Sequence, residues 1–259
     1  MNPDLRVALV CVAGLVLLTY VYPVFQLKAL HRAGAHLRLV PTARERIDAR
    51  FVALIDPLIA ALGRLGFAPV GFLDGPGDPA KSGIRHTIVL RTGDGTTGAV
   101  IYVAEQVRRD AVHLATGVQF STEFTDGGSV NTGNSPQPRL FRYRANRRVD
   151  SFPGVRDLAQ LYDLHRRLLA RVRGTTIEPQ AATLEETIRE IQETTARDMA
   201  YQEECGDYAR ADDGSYRLTW KGAIRAVSIM GAGLKALRLQ RDQQRAAALA
   251  AELRRDPPP

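Results

Sequence analysis

The sequence predicts an α+β protein with an N-terminal transmembrane helix. Three patterns carry this prediction: an uncharged apolar run over residues 7–25, strands of alternating polarity between 67 and 134, and helical spacing on either side of those strands. We expect an antiparallel β-meander of four to six strands flanked by two helices, then a helical C-terminal region with a short β-hairpin.

The first element is the apolar run Val7–Phe25, which contains no Asp, Glu, Lys, Arg or His. At about 1.5 Å per residue it forms a helix of about 29 Å, enough to cross the hydrocarbon core of a bilayer. Its Leu, Val and Phe residues contribute roughly −3 to −6 kcal/mol of insertion free energy. A cleaved secretory signal ending at Ala33–Ala35 is the alternative, but Lys28 and Arg32 precede that site and the run is too long. We therefore expect an uncleaved anchor.

Flanking charges predict the side on which the body lies. Only Arg6, offset by Asp4, precedes the run, whereas five cations follow it: Lys28, Arg32, Arg38, Arg44 and Arg46. The positive-inside bias predicts a single-pass protein of the cell (inner) membrane, with the lipid bilayer as a partner and the C-terminal body in the cytoplasm. The cysteines agree, because Cys11 lies in the predicted span and Cys205 has no disulfide partner.

Changes in composition divide the chain into four parts. Residues 1–27 form the anchor, 28–43 a basic juxtamembrane linker, 44–174 an α+β domain, and 175–259 a helical C-terminal region with a wing-like hairpin. The chain is 45% hydrophobic and 24% charged, which is typical of a globular protein. Its net charge of +7 indicates an anionic neighbour, and phospholipid headgroups are within reach of a tethered body.

The α+β domain begins with a predicted helix over 44–65, where apolar residues recur at i, i+3 and i+4. Pro57 interrupts it, so that either one helix is kinked or Asp56 caps a second helix with Pro57 in its first turn. Gly66 ends this helical segment in the left-handed conformation. The closing helix of the domain is capped by Asp157 and extends to about residue 173.

Between these helices the sequence predicts the strands of the meander. They are Phe67–Leu73, His86–Arg91, Ala99–Glu105, His113–Thr125 and Ser129–Asn134. Alternate residues from Val118 to Phe124 share one apolar face, and the residues between them share a polar one. We expect both helices to cover the apolar face and water to cover the other.

The C-terminal region starts with a linker, Thr175–Thr183. Residues 183–207 then form an acidic helix with eight carboxylates against two arginines. A hairpin of Tyr208–Ala211 and Ser215–Thr219 follows, and Thr219 caps a helix that begins at Trp220.

We find no catalytic, cofactor-binding or metal-binding signature along the sequence and expect a non-enzymatic protein without a cofactor. Gly93–Gly98 has the spacing G-x-G-x-x-G, but a strand follows it where phosphate binding requires a helix. The five histidines lack the spacing of metal ligands, and His165 falls on an apolar helical stripe, as a core histidine does. Cys205 stands alone, as small buried cysteines often do.

A ligand site on the wet face of the sheet is one functional alternative. Its candidate residues, for a ligand-binding or hydrolytic α+β domain, are His113, Glu123, Asp126 and Asn131. A polar patch on an antiparallel sheet is more often only solvated.

Residues 139–148 form the strongest basic cluster, interleaved with Phe141 and Tyr143. Its candidate membrane-surface residues are Arg139, Arg142, Arg144, Arg147 and Arg148. Arginine interleaved with aromatic residues suits a lipid headgroup layer or single-stranded nucleic acid. The alternative without a ligand is an edge strand protected by charge.

The helix from Trp220 adds further membrane-surface candidates. They are Trp220, Lys221, Arg225 and Lys235, beside an apolar stripe of Ile224, Val227, Met230, Leu234 and Leu237. As a second span it fails, because its two central cations cost about 5–7 kcal/mol and its apolar residues recover about 1.5–3. The pattern is typical of an interfacial helix, and packing on the protein's own body is the equal alternative.

The segment Tyr216–Gly222 (YRLTWKG) resembles the second wing strand of bacterial winged-helix regulators, in which such a strand leads into a helix. The resemblance covers residues 207–225 and implies a wing-like hairpin. The preceding helix reads DNA in such regulators, but here residues 183–207 carry a net charge of −6, which phosphate repels. The sequence therefore disfavours nucleic acid as a partner.

A longer stretch, about residues 45–240, resembles uncharacterised membrane-anchored bacterial proteins. The shared features are the helix ending at Gly66-Phe67, the Asp126-Gly127 turn, the helix with Leu161–Arg167, and Tyr216–Ala223. This resemblance implies the architecture and no activity.

The sequence as a whole favours a membrane-anchored, non-enzymatic interaction module with basic surfaces facing the membrane. Its expected partners are anionic lipid headgroups or a protein. The alternatives are the ligand-binding or hydrolytic domain above and a membrane-bound winged-helix-like transcription regulator.

Overall fold

The computed structural model describes residues 21–30, 32–33, 39–75, 83–108, 111–135, 142–172, 175–230 and 232–255. Within these residues it has six helices and a seven-stranded, mostly antiparallel sheet, which confirms the predicted α+β class. Apart from its last five residues, the predicted span Val7–Phe25 lies outside this part of the chain. None of the helices described is long and apolar enough to cross a bilayer, and the anchor stays a prediction.

Helices and strands follow one another along the whole described chain. In order they are α1 (Tyr22–Leu30), β1 (Arg32–Ala33), β2 (Val40–Thr42), α2 (Ala49–Gly63), β3 (Phe67–Asp74), β4 (Gly83–Thr92), β5 (Gly98–Arg108), β6 (Ala111–Glu123), β7 (Ser129–Gly133), β8 (Arg147–Ser151), α3 (Leu158–Ala170), α4 (Leu184–Glu204), β9 (Tyr208–Arg210), β10 (Tyr216–Leu218), α5 (Trp220–Met230) and α6 (Ala232–Leu253).

These elements group into two compact units. The hairpin unit takes its residues from Met1–His36, Gln137–Arg142 and Thr195–Asp242. The sheet unit takes its residues from Leu37–Pro136, Tyr143–Thr194 and Gln243–Pro259. The division falls inside the long helices α4 and α6, so each of these helices contributes to both units.

The sheet unit has seven strands in the order β2 to β8, where the sequence predicted four to six. At one edge β2 pairs with β3, although its residues fall in the predicted juxtamembrane linker. At the other edge β8 lies parallel to β7, with Arg147 opposite Ser129. Both edge strands are short, so a side-chain period of two repeats too few times to be recognised in the sequence.

Helices α2 and α3 cover one face of this sheet, as predicted. The buried cluster joins alternate residues of β4, β5 and β6 to the apolar stripes of both helices, and Phe120 and Leu161 at its centre are fully buried. Helix α2 is one helix that runs through Pro57; Asp48 caps it by accepting a hydrogen bond from the Arg50 amide, and Asp56 instead pairs with Arg44. Gly66 has φ +88°, the predicted left-handed stop.

The opposite face of the sheet is polar, and the segment predicted as a linker lies across it. The Thr125 amide donates to the Thr176 carbonyl at 3.0 Å, and the Gln180 side-chain amide donates to the Ser121 carbonyl at 2.9 Å. Leu184 lies so close to Gly71 that a Cβ there would come within 2.6 Å of its methyl group. The expectation of a wet face is therefore corrected, since residues 175–184 cover part of it.

A chain of polar side chains crosses the core of the sheet unit at His165. Its Nε2 lies 3.1 Å from the Thr122 hydroxyl and its Nδ1 lies 3.0 Å from the Thr132 hydroxyl. The Thr122 hydroxyl also lies 3.1 Å from that of Thr97. Full burial lowers the pKa of His165 to about 3, so the ring is neutral and uses one nitrogen as donor and the other as acceptor.

The hairpin unit has a three-stranded antiparallel sheet in the order β1–β10–β9. The predicted hairpin is confirmed, with Gly214 at φ +77° in its turn. Met199 of α4 and Ala223 of α5 close a small core over the hairpin side chains Tyr208, Tyr216 and Leu218. Thr219 caps α5 as predicted, because its hydroxyl accepts a hydrogen bond from the Gly222 amide at 3.0 Å.

We predict that His165 makes the stability of the sheet unit depend on pH. The unfolded ring binds a proton below about pH 6.5 and the folded ring only near pH 3, so this contribution is complete above pH 6.5 and declines as the pH falls. In guanidinium unfolding followed by circular dichroism, wild type should lose about 1.4 kcal/mol per pH unit between pH 6 and 4 relative to His165→Gln. Parallel pH profiles for the two proteins would contradict it.

Candidate functional site

The candidate site of the hairpin unit lies where α1 packs beside α5. The rings of Phe25 and Trp220 meet edge to face with centroids 4.8 Å apart, and the Lys28 ammonium lies 5.4 Å above the Trp220 ring. Despite these contacts, Trp220 is 48% exposed and Phe25 is 55% exposed. Together with Tyr22, Lys221 and Ile224 these residues form what we call the aromatic–basic surface.

The geometry of α5 explains why apolar side chains face outward. At about 100° per residue, Trp220, Lys221, Ile224 and Ser228 occupy one sector about 100° wide. The remaining sectors include Gly222, Ala223, Arg225, Val227 and Ile229, and of these all but Arg225 are buried. The solvent-facing sector therefore carries a tryptophan and an isoleucine, and Ile224 is 58% exposed.

The apolar stripe predicted for this helix is divided between two environments. Val227 packs inward, whereas Ile224 and Leu237 are exposed, and the side chains of Met230 and Leu234 lie outside the described residues. The sequence left open whether the stripe packs on the protein or on a membrane. In the structure, Val227 packs in the protein's own core, whereas Ile224 and Leu237 remain exposed.

A basic groove borders this surface. It has a volume of about 630 Å³ and is lined by Lys28, Arg210, Arg217 and Trp220, together with Asp212 and Asp213. The Asp213 carboxylate is used within the hairpin turn, where it accepts hydrogen bonds from the amide and hydroxyl of Ser215. Lys221 reaches the Cys205 carbonyl at 2.6 Å and is otherwise exposed.

Two of the predicted membrane-surface arginines pair with a buried carboxylate. Asp207 is 1% exposed, and it pairs with Arg142 at 3.2 Å and closely with Arg225. The backbone of Arg142 is also fixed, since its amide donates to the Gln202 side chain and its carbonyl accepts from it. Both arginines therefore stabilise the hairpin unit, while Arg142 also remains exposed at its surface.

The last three arginines of the predicted basic cluster belong to the sheet unit. Arg148 pairs with Asp150 at 2.7 Å, and the Arg147 guanidinium lies 5.7 Å from the Tyr143 ring centre. Arg144 is half-buried just before a turn at residues 145–146. Arg139 and the side chain of Lys235 lie outside the described residues. That turn therefore separates Arg144 from Arg147 and Arg148.

The structure separates His113 from the other candidate ligand residues of the sheet. His113 is exposed on β6, ten residues from Glu123 on the same strand, a separation of about 33 Å at about 3.3 Å per residue. Asp126 accepts a hydrogen bond from the Gly128 amide within a turn. Asn131 is buried between Gln119 and Ser129. Among the residues described, no three His, Cys, Asp or Glu side chains are grouped to hold a metal ion.

Sequence reasoning missed the contribution of α1 to this site, because Tyr22 and Phe25 were assigned to the end of the apolar run. Aromatic residues three positions apart share one face of a helix, which was the available signal. Their partner, Trp220, is almost two hundred residues away and cannot be identified from local spacing. Comparison with protein-family models, curated proteins and solved structures found no match.

We predict that any side chain larger than hydrogen at position 222 displaces α5. A Cβ at Gly222 would lie 1.9 Å from the Asp207 carbonyl oxygen, so Gly222→Ala must push α5 from the hairpin. We expect it to cost about 2–3 kcal/mol and to shift the emission of Trp220, the only tryptophan in the chain. Gly63→Ala is the matched control, because nothing lies within 4 Å of its Cβ position in α2. Equal stabilities for the two variants would contradict this packing.

Proposed function

We propose that the chain is a membrane-anchored, non-enzymatic interaction module whose aromatic–basic surface rests on the cytoplasmic leaflet of the inner membrane. The observation that carries the proposal is that Phe25, the last residue of the predicted span, packs on Trp220. If residues 7–25 cross the bilayer, the surface that contains Phe25 must lie at the depth of the membrane interface.

The chemistry of the surface suits that depth. Tryptophan and tyrosine prefer the headgroup region, where the ring is in an apolar environment and its polar atom remains hydrated. Each Lys or Arg near an anionic leaflet contributes about 1 kcal/mol, and Lys28, Lys221, Arg210 and Arg217 are close to Trp220. These contributions are modest, but a tether makes docking intramolecular, so a weak interaction is enough.

The alternative of a membrane-bound winged-helix regulator is less well supported by the charges. The hairpin β9–β10 does form a three-stranded sheet with β1. However, α4 precedes the hairpin and carries the acidic cluster of the chain, which would repel the phosphates of DNA. A ligand-binding or hydrolytic site on the sheet face is also less well supported, since His113 lies far along β6 from Glu123 and Asn131 is buried.

The single tryptophan allows a direct test on the full chain. The protein is reconstituted in phosphatidylcholine–phosphatidylglycerol vesicles with and without bromine on the acyl chains near the headgroup, because bromine quenches only tryptophan that it contacts. We expect Trp220 to be quenched by the brominated lipid and shielded from aqueous iodide. Quenching of Trp220 by iodide but not by the brominated lipid would refute docking of this surface, whether or not the anchor is inserted.

Charge reversal tests the electrostatic part of the same proposal. Lys28→Glu combined with Lys221→Glu should weaken docking by about 2 kcal/mol or more and restore access of iodide to Trp220. Arg156→Glu, at an exposed arginine of the sheet unit, is the control and should behave as wild type. Equal behaviour of the two proteins would show that anionic lipid is not the partner.

A further inference from the structure

A second candidate site lies in the sheet unit, on the face of the sheet covered by helices. It is a cleft of about 560 Å³ beyond the first turn of α2, between that helix and the strands β2 to β5. Its lining includes four exposed residues and one largely buried ion pair; the exposed residues are Val40, Pro41, Arg46 and Arg50, and the pair is Arg85 with Glu105. The cleft lies outside the aromatic–basic surface and does not depend on the proposed membrane function.

A β-bulge gives the cleft two polar side chains from adjacent positions. The register of β4 against β5 shifts between Ile84 and His86, which leaves Arg85 as an extra residue. Successive residues of a regular strand point to opposite faces, but here Arg85 and His86 both line the cleft. Bulges that redirect a side chain in this way are concentrated next to functional sites.

One buried carboxylate organises the arginines of the cleft. Glu105 is 8% exposed; one of its oxygens accepts from Arg85 Nε at 2.6 Å, and the other lies 3.4 Å from Arg50 Nη1. The Arg50 guanidinium also lies over the ring of Phe51 at 4.7 Å. Arg46 is exposed and forms no ion pair with any residue that the structure describes.

His86 is held in a fixed orientation at the same site. Its Nδ1 lies 3.1 Å from a carboxylate oxygen of Asp74, and its ring meets Phe51 edge to face at 5.0 Å. A carboxylate at Nδ1 favours the tautomer with the proton on that nitrogen, which leaves Nε2 to interact with a ligand. Phe51, Val40 and Pro41 add apolar side chains to the lining of the cleft.

The charges of the lining decide which ligand fits. Arg85 is paired with Glu105, and Arg50 is shared between Glu105 and Asp48, whose carboxylate lies 3.2 Å from Arg50 Nε. Arg46 is therefore the lining arginine without an ion pair among the described residues. A ligand with one negative charge neutralises Arg46, whereas a second negative charge would face the neighbouring carboxylates. We propose that the cleft binds a small organic carboxylate, with its charged group between Arg46 and Arg50 and its apolar body against Val40, Pro41 and Phe51.

The test uses 4-fluorobenzoate as the probe, observed by fluorine NMR line broadening with the full chain. We expect binding of 4-fluorobenzoate and much weaker binding of neutral 4-fluorobenzamide. Arg46→Gln should weaken 4-fluorobenzoate binding about tenfold, since a charge-assisted hydrogen bond is lost. Arg64→Gln, at the other end of α2, should leave it unchanged. Equal binding of the two probes, or equal loss in the two variants, would overturn the proposal.

Two further measurements test whether the variants remain folded and how many negative charges on the ligand the cleft accepts. Glu105→Gln raises the net charge of the cleft and should tighten 4-fluorobenzoate binding about threefold, provided its melting temperature shows a folded protein. Since Arg46 is exposed, Arg46→Gln should melt as wild type does. Tighter binding of 4-fluorophenyl phosphate than of 4-fluorobenzoate would overturn the assignment to a single negative charge.

Discussion

The hairpin unit depends on the buried charge of Asp207. A carboxylate removed from water needs cations in place of its hydration, and Arg142 and Arg225 supply the positive charge at Oδ2, whereas Oδ1 accepts no hydrogen bond from the described residues. The backbone of Asp207 is used as well, since its amide donates to Gln202 and its carbonyl accepts from Thr219. Its position therefore constrains three segments that are far apart in the sequence.

The orientation of α5 follows from this constraint. Arg225 must reach the carboxylate of Asp207, and Gly222 must pack against the backbone carbonyl oxygen of Asp207. The helix can therefore present only one sector to solvent. That sector contains Trp220 and Ile224, whose exposure opposes the usual tendency of such residues to be buried. A buried ion pair thus determines which apolar side chains are left for a partner.

Much of the sheet unit could be predicted from the sequence because its signals are local. The alternation from Val118 to Phe124, the caps at Asp48 and Asp157 and the stop at Gly66 each depend on a few neighbouring residues. The parallel strand β8 and the path of residues 175–184 depend on hydrogen bonds between distant segments, which local patterns do not encode.

The candidate sites illustrate the same limit. Arg142 and Arg225 belong to basic segments that are typical of a membrane-facing surface. Both also pair with the buried Asp207, and no spacing rule links that carboxylate to them. The cleft at Glu105 was missed because its residues come from five elements, and a bulge reverses the face that alternation predicts for one of them. Trp220 was identified because flanking aromatic residues mark interfacial helices, whereas its contact with Phe25 was not.

The core of the sheet unit shows why polar groups are kept where apolar ones would also pack. His165 of α3 joins the hydroxyl of Thr122 on β6 to that of Thr132 on β7. Sliding α3 by one turn would leave the ring and the Thr132 hydroxyl buried without partners, at a cost of about 1–3 kcal/mol for each group, and the Thr122 hydroxyl would keep only its contact with Thr97. Apolar side chains tolerate such a shift far better, because burial is not directional. The histidine therefore fixes the position of α3 on the sheet, and it does so only while the ring remains neutral.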